Sequence, residues 1–178
     1  MDYIHKYASP LGNITLASEG VCLTGLWFDG QKYDRSTIKG PCEEKELPIF
    51  SETCKWLDIY FSGREPDFTP PVLIRTTDFR RRVWEILLTI PYGKTMTYGE
   101  IARSIAQQQG SAGMSAQAVG GAVGHNAISI IIPCHRVMGT GGGLTGYAGG
   151  LEKKRALLSL EGVEMSIDIF HNWRYNEK

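Results

Sequence analysis

"TYGEIARSIAQQQGSAGMSAQAVGGAVGHN", residues 97–126, reads as two helices joined by a loop. Thr97 and Glu100 make a T-x-x-E capping box that opens a helix over 98–108, because the hydroxyl and the carboxylate can each satisfy a free backbone amide of the first turn. Gly110 to Met114 reads as loop, and Ser115 caps a second helix, "AQAVGGAVGHN", over 116–126. Helix, short loop and capped helix predict a helix-turn-helix, with a loop longer than the usual three to four residues.

The second of these helices has Gly120, Gly121 and Gly124 in its interior. Each costs about 1 kcal/mol relative to Ala, so something must come close to this backbone. A neighbouring helix packed tightly against it is one reading. A helix pressed against a nucleic-acid groove, with its N-terminal amides near phosphates, is the other.

Upstream, Thr77 or Asp78 caps a helix "FRRRVWEILLTI" (79–90) with Phe79, Val83, Ile86, Leu87 and Ile90 as an apolar stripe, and "PYGKT" then turns the chain. The first part of the chain alternates in short runs, "YIHKYAS" (3–9), "GNITLAS" (12–18) and "VCLTGLWF" (21–28), which predict an antiparallel meander. "PIFSETCKWLDIYFSG" (48–63) carries Ile49, Phe50, Thr53, Trp56, Leu57, Tyr60 and Phe61 at helical spacing, with Gly63 as its stop. Phe68 to Val72, with Pro70 and Pro71 at the centre, is expected to continue neither helix nor ladder. The division expected is therefore 1–75, 76–165 and a C-terminal tail 166–178, in an α/β (α+β) chain whose second part is mainly helical.

At 178 residues the chain can bury a sizeable core. "MDYIHKYASP" has neither a basic start nor an apolar signal-type run, and no stretch approaches membrane-spanning length, so no membrane association and a cytoplasmic location are expected. Cys22, Cys42, Cys54 and Cys134 lack metal-type spacing and are expected to be free thiols, with no metal. Net charge is zero, but residues 1–75 hold 8 Lys/Arg against 11 Asp/Glu and residues 76–178 hold 11 against 8. The second half is modestly basic, which permits nucleic acid without requiring it.

"AISIIIPCHRV" (127–137) reads as a buried strand ended by Pro133 and followed at once by Cys134 and His135. A buried Cys beside a surface His is the bland reading. The chemical one is a thiol with a base nearby, since the thiolate is the nucleophile. Neighbours in an extended chain point to opposite faces, so the pair needs a bridging water or a local turn, and a third group to orient the imidazole: Glu152, Glu161 or Glu164. "GTGGGLTGYAGG" (139–150) contains a formal G-x-G-x-x-G at Gly141, Gly143 and Gly146, but no βαβ pattern surrounds it, so no dinucleotide or other cofactor is expected. A mobile loop over a pocket beside Cys134, with Tyr147 as an apolar wall for a flat ligand, fits better.

"PCHRV" behind "AVGGAVGHN", preceded by "RRVWEILLTIPYGKTMTYGEIA" and followed by "LTGYAGGLEKKRALLSLEG", resembles the O6-alkylguanine-DNA alkyltransferases, also called methylated-DNA–protein-cysteine methyltransferases. The resemblance is continuous over about 78–162; over 1–75 it is looser and implies a small ribonuclease-H-like domain. It implies a DNA repair protein, monomeric, that flips O6-alkylguanine out of duplex DNA and moves the alkyl group irreversibly to its own cysteine. O4-alkylthymine is a second candidate substrate.

Carried onto this chain, Cys134 is the acceptor, His135 its base through a water, Glu161 the group orienting the imidazole and Asn126 the tie of the active-site turn. Tyr98 donates a proton to the departing base. Ala116, Gln117, Ala118, Gly120 and Gly121 lie on a recognition helix in the minor groove, and Arg103 and Arg136 contact phosphates. Val137, Tyr147, Ala148 and Gly149 border the base. Two departures stand out: Gln117 occupies the place of an Arg that fills the gap left by the flipped base, and Ala148 that of a Ser. A Cys-His-Glu hydrolase and a non-catalytic lesion-binding module remain the alternatives, the latter opposed by the presence of Cys134.

Overall fold

The computed structural model describes residues 1–165; the tail expected at 166–178 lies outside the described residues. Strands β1 (Asp2–Ser9), β2 (Gly12–Ser18) and β3 (Leu23–Phe28) form the expected antiparallel meander, with Tyr7 opposite Ile14 and Leu16 opposite Leu26. A fourth strand, β4 (Cys42–Glu44), adds in parallel to β1 and gives the order β3-β2-β1-β4. "CEE" carries no strand pattern; an exposed three-residue edge needs only backbone groups to pair.

The opposite edge, β3, is closed by both halves of the chain. Leu23 donates to Pro71 O (2.8 Å) and accepts from Leu73 N (2.8 Å), while Leu26 donates to Ala127 O (2.9 Å) and accepts from Ser129 N (2.9 Å). The prolines do not bar the first of these contacts, contrary to the expectation for 68–72. Pro71 supplies only its carbonyl and Leu73 supplies the amide, so the missing proline N–H is never asked for.

Helix α1 (Pro48–Phe61) starts with proline in its first turn, where no amide is needed, and buries Ile49, Phe50, Trp56, Leu57 and Tyr60 before Gly63 turns the chain at φ +80°. Helix α2 (Asp78–Leu87), capped by the Thr77 hydroxyl, stops three residues short of the expected Ile90, in a tight turn that leads into Pro91. Helix α3 (Tyr98–Gln109) has both halves of the Thr97–Glu100 capping box and ends at Gly110 in the left-handed region. Helix α4 (Ala116–Gly124) is capped by Ser115. It ends two residues early because Asn126 turns its amide into the following loop. The Trp84 indole N–H binds Ala122 O at 2.8 Å and so fixes α4 against α2.

A short parallel pair, β5 (Met96–Thr97) and β6 (Val137–Met138), was not foreseen; it sets the chain after Cys134 beside the start of α3. Helix α5 (Leu151–Leu160) turns Lys154, Leu157 and Leu158 inward, and Glu161 follows on the same face. One apolar core runs through both halves, from Leu16, Phe28 and Leu57 to Trp84, Val119 and Ile132. Among the described residues no helix is long and apolar enough to cross a membrane.

Candidate active site

Residues 127–133 are buried, as expected, but they are not a strand. One bridge, Leu26 to Ile128, is all the pairing they make. The chain then folds back, with Ile132 N on Ile128 O (3.0 Å) and Ile130 held at φ +69°, a conformation that a β-branched residue adopts only under constraint. Asn126 is that constraint: its Nδ2 donates to Ile132 O (2.7 Å) and its Oδ1 accepts from Ile128 N (3.0 Å). The side-chain amide takes the place of a neighbouring strand, which is why apolar patterning alone reads wrongly here. Cys134 to Arg136 then form one 3-10 turn, and Asn126 Nδ2 reaches Cys134 Sγ at 3.1 Å. The opposed directions of an extended Cys-His pair therefore do not arise.

Behind the thiol lies a fully buried relay. His135 Nε2 is 2.6 Å from Glu161 Oε1, so of the three candidate acids the structure brings Glu161 to the ring. The carboxylate also accepts from Arg136 Nε (2.9 Å, on Oε2) and Nη2 (3.1 Å, on Oε1), from Gly93 N (3.0 Å) and from the Tyr60 hydroxyl (2.7 Å). Every partner is a donor, so Nε2 carries the ring proton and Nδ1 is left bare; Nδ1 is buried and meets no partner.

Burial pushes the Glu161 carboxyl up, but the hydrogen bonds and charges of His135 and Arg136 outweigh it and hold the group at about 2. Burial lowers His135 against the pull of Glu161, and burial raises Cys134 against the Asn126 hydrogen bond and the Lys154 charge. The resting state is a neutral thiol beside a neutral imidazole. A preformed thiolate–imidazolium pair is not what burial favours.

Cys134 opens onto a cavity of about 310 Å³ walled by Tyr98, Tyr147, Ala148 and the glycine face of α4. A Cβ on Gly121 or Gly124 would meet nothing within 4 Å, and one on Gly120 only the Tyr98 ring at 3.9 Å. Packing within the chain thus does not account for the α4 glycines; they keep open the surface beside the cavity. Ala116, Gln117 and Ala118 are exposed on the first turn of α4, and Arg103 is exposed on α3. Gly149 is required for close approach, since a Cβ there would lie 2.8 Å from the Tyr147 ring.

Two expected placements change. Arg136 does not face outward: its guanidinium is spent on Glu161 and on Ile90 O (2.6 Å), with its side chain only 11% exposed, so it is a relay residue and not a phosphate contact. The Val137 carbonyl is turned to Lys154, whose buried ammonium binds Val137 O (2.5 Å), Thr145 O (2.8 Å) and Gly146 O (3.1 Å). The glycine-rich loop is thereby anchored at its centre, where Tyr98 OH also binds Thr145 O (3.2 Å).

Lys154 and Tyr60 were missed from sequence. Lys154 had a signal, since residues 154, 157, 158 and 161 share one helical face. Tyr60 had none, because in an apolar stripe a tyrosine reads as core. Burial lowers Lys154 to about 8, so its third proton is held less firmly than on a surface lysine.

The two domain models of one family match the chain: the 6-O-methylguanine DNA methyltransferase ribonuclease-like domain over residues 3–74, and the DNA-binding domain over 78–163. The chain belongs to the 6-O-methylguanine DNA methyltransferase family. It is 47% identical over 161 residues to a methylated-DNA–protein-cysteine methyltransferase of Mycobacterium bovis, covering 90% of this chain and 93% of the relative. The crystal structure of the Mycobacterium tuberculosis O6-methylguanine methyltransferase matches with a TM-score of 0.76 at 44% identity, covering 96% of this chain and 99% of that one. The Mycobacterium tuberculosis protein in complex with DNA matches with a TM-score of 0.77 at 43% identity, covering 94% and 99%.

Proposed function

We propose that this protein repairs DNA by moving the O6-alkyl group of guanine onto Cys134. It is a methylated-DNA–protein-cysteine methyltransferase, and its partner is DNA. The observation that carries the assignment of the acceptor is Cys134 itself, a thiol open to the cavity, tied by Asn126 and backed by a His–Glu relay whose one bare nitrogen is buried.

In the proposed reaction His135 Nδ1 takes the thiol proton through a bridging water, and Glu161 stabilises the imidazolium that forms. Sγ attacks the alkyl carbon, the carbon–O6 bond breaks, and its electron pair passes to the guanine ring, which Tyr98 protonates. Burial keeps Tyr98 a neutral phenol, and its proton, held on Thr145 O, turns to the departing base in this scheme. The product is a thioether, which water does not cleave, so each chain acts once. This separates the reaction from that of a Cys-His-Glu hydrolase, whose thioester turns over.

Residues 76–165 carry the DNA-docking surface, with α4 and its exposed Gln117 entering the groove beside a base extruded into the cavity. Phosphate contacts fall to exposed cations such as Arg103. Residues 1–75 form the second domain. The four cysteines are free thiols, which suits a reducing cytoplasm.

Intact-protein mass spectrometry after mixing with an O6-methylguanine duplex tests this. A gain of one CH2 per chain on the Cys134 peptide is expected; alkylation of Cys22, Cys42 or Cys54, or turnover beyond one equivalent, refutes it.

A further inference from the structure

The Tyr60 hydroxyl lies inside the relay although its helix, α1, belongs to the first half of the chain. It donates to Glu161 Oε1 at 2.7 Å and lies 3.3 Å from His135 Nε2, which shares the same oxygen. Its ring is fully buried, stacked on Trp56 (5.3 Å, 6°) and edge-on to Tyr92 (6.1 Å, 80°) and His135 (6.4 Å, 75°). The hydroxyl therefore has one fixed position, and burial with the Glu161 charge keeps it protonated.

We infer that Tyr60 is a positioning residue of the transfer reaction: by donating to Glu161 Oε1 it fixes the carboxylate for His135 and limits the charge that the carboxylate offers the ring. The inference rests on the His135–Glu161 reading above. Three donors meet on Oε1, from His135, Tyr60 and Arg136, and they compete, since each takes up part of its negative charge. With Tyr60 in place, Oε1 still orients Nε2–H but holds the imidazolium less tightly, so His135 stays neutral and its Nδ1 stays a base until an alkyl group arrives. The first half of the chain thereby tunes a reaction whose reacting groups lie in the second half.

The groups facing His135 are Glu161 and Lys154 from the α5 side, Cys134 and Arg136 on its own turn, Tyr92 beneath the Arg136 guanidinium, and Tyr60 from α1. Of these, Tyr60 can be changed by a single oxygen: Tyr60→Phe keeps the ring and its stacking. Removing the hydroxyl leaves Oε1 more basic and favours the imidazolium.

Single-turnover transfer is measured against pH for wild type, Tyr60→Phe, Glu161→Gln and the double variant, with the His135 ring resonances followed by NMR. For Tyr60→Phe the acid limb and the His135 titration should move up by about half a pH unit or more. That means about threefold less neutral imidazole, and so about threefold slower transfer, on the acid side. In the Glu161→Gln background the same change should move neither. An unmoved profile and titration, or a uniform slowing at every pH, would mean that Tyr60 is only a packing residue and would overturn the inference. Failure of the wild type itself to take up alkyl on Cys134 would instead overturn the proposed function.

Discussion

Replacing Glu161 by Gln keeps the shape of the side chain and removes its charge, and the structure gives the size of the effect. The carboxylate meets donors only: Tyr60, His135, Arg136 twice and Gly93. An amide must turn its NH2 toward one of these sets, so donors face donors while the Arg136 guanidinium loses its counter-charge. Removing one partner of a buried pair costs about 3–5 kcal/mol of folding stability. In the reaction, a carboxylate about 4 Å from an imidazolium is worth about 4 kcal/mol at an effective dielectric constant of about 20. If half the ring charge has formed at the transition state, the barrier rises by about 2 kcal/mol and transfer slows about 30-fold. DNA affinity should change little, because Glu161 is buried behind the thiol. Rapid-quench single-turnover kinetics and a duplex-binding titration measure the two effects separately. Equal transfer rates for variant and wild type would refute the relay.

The pH dependence of stability follows with a definite sign. Glu161 is held at about 2 against an ordinary 4.5, so its contribution is fully present above about 4.5 and is lost as pH falls toward 2. The stability gap between wild type and Glu161→Gln should close over that window. His135, lowered from 6.5 by burial, acts in the same direction: the unfolded chain binds a proton near 6.5 that the folded chain refuses.

Gly121→Ala should stabilise the free protein by about 1 kcal/mol in urea unfolding, since its Cβ meets nothing within 4 Å, yet weaken duplex binding; unchanged affinity would show that α4 is not the docked surface. Lys154→Met should lower unfolding free energy by about 1–3 kcal/mol, because the buried Val137 carbonyl and the part-buried Thr145 and Gly146 carbonyls lose their common donor; a loss below about 0.5 kcal/mol would show that water replaces it readily. Gln117→Arg should raise the transfer rate on duplex DNA several-fold at low salt and leave that with free O6-alkylguanine unchanged, because only the duplex needs a base extruded. An equal change on both would place Gln117 outside extrusion.

What local chemistry controls was legible in the sequence. The Thr97–Glu100 capping box, the Ser115 cap and the meander each depend on residues close in the chain, and each forms where the pattern places it. Cys134 and His135 stood out as a thiol and a base adjacent in sequence, whereas spacing left Glu152, Glu161 and Glu164 open as the acid and only the family resemblance singled out Glu161. The sequence even required a turn or a water between Cys134 and His135, and the chain supplies the turn.

What only tertiary structure decided depends on groups far apart in sequence or on backbone groups that carry no side-chain signal. Residues 127–133 have the composition of a strand, but a strand needs a partner along its length, and the Asn126 amide claims that backbone first. Arg136 looks like a phosphate contact until Glu161, 25 residues away, takes its guanidinium. Tyr60 reaches Glu161 across 101 residues, and an apolar stripe does not announce which hydroxyl will find a carboxylate. Local free energies set the elements, whereas the pairing of buried polar groups is settled only when the core closes and each donor must find an acceptor.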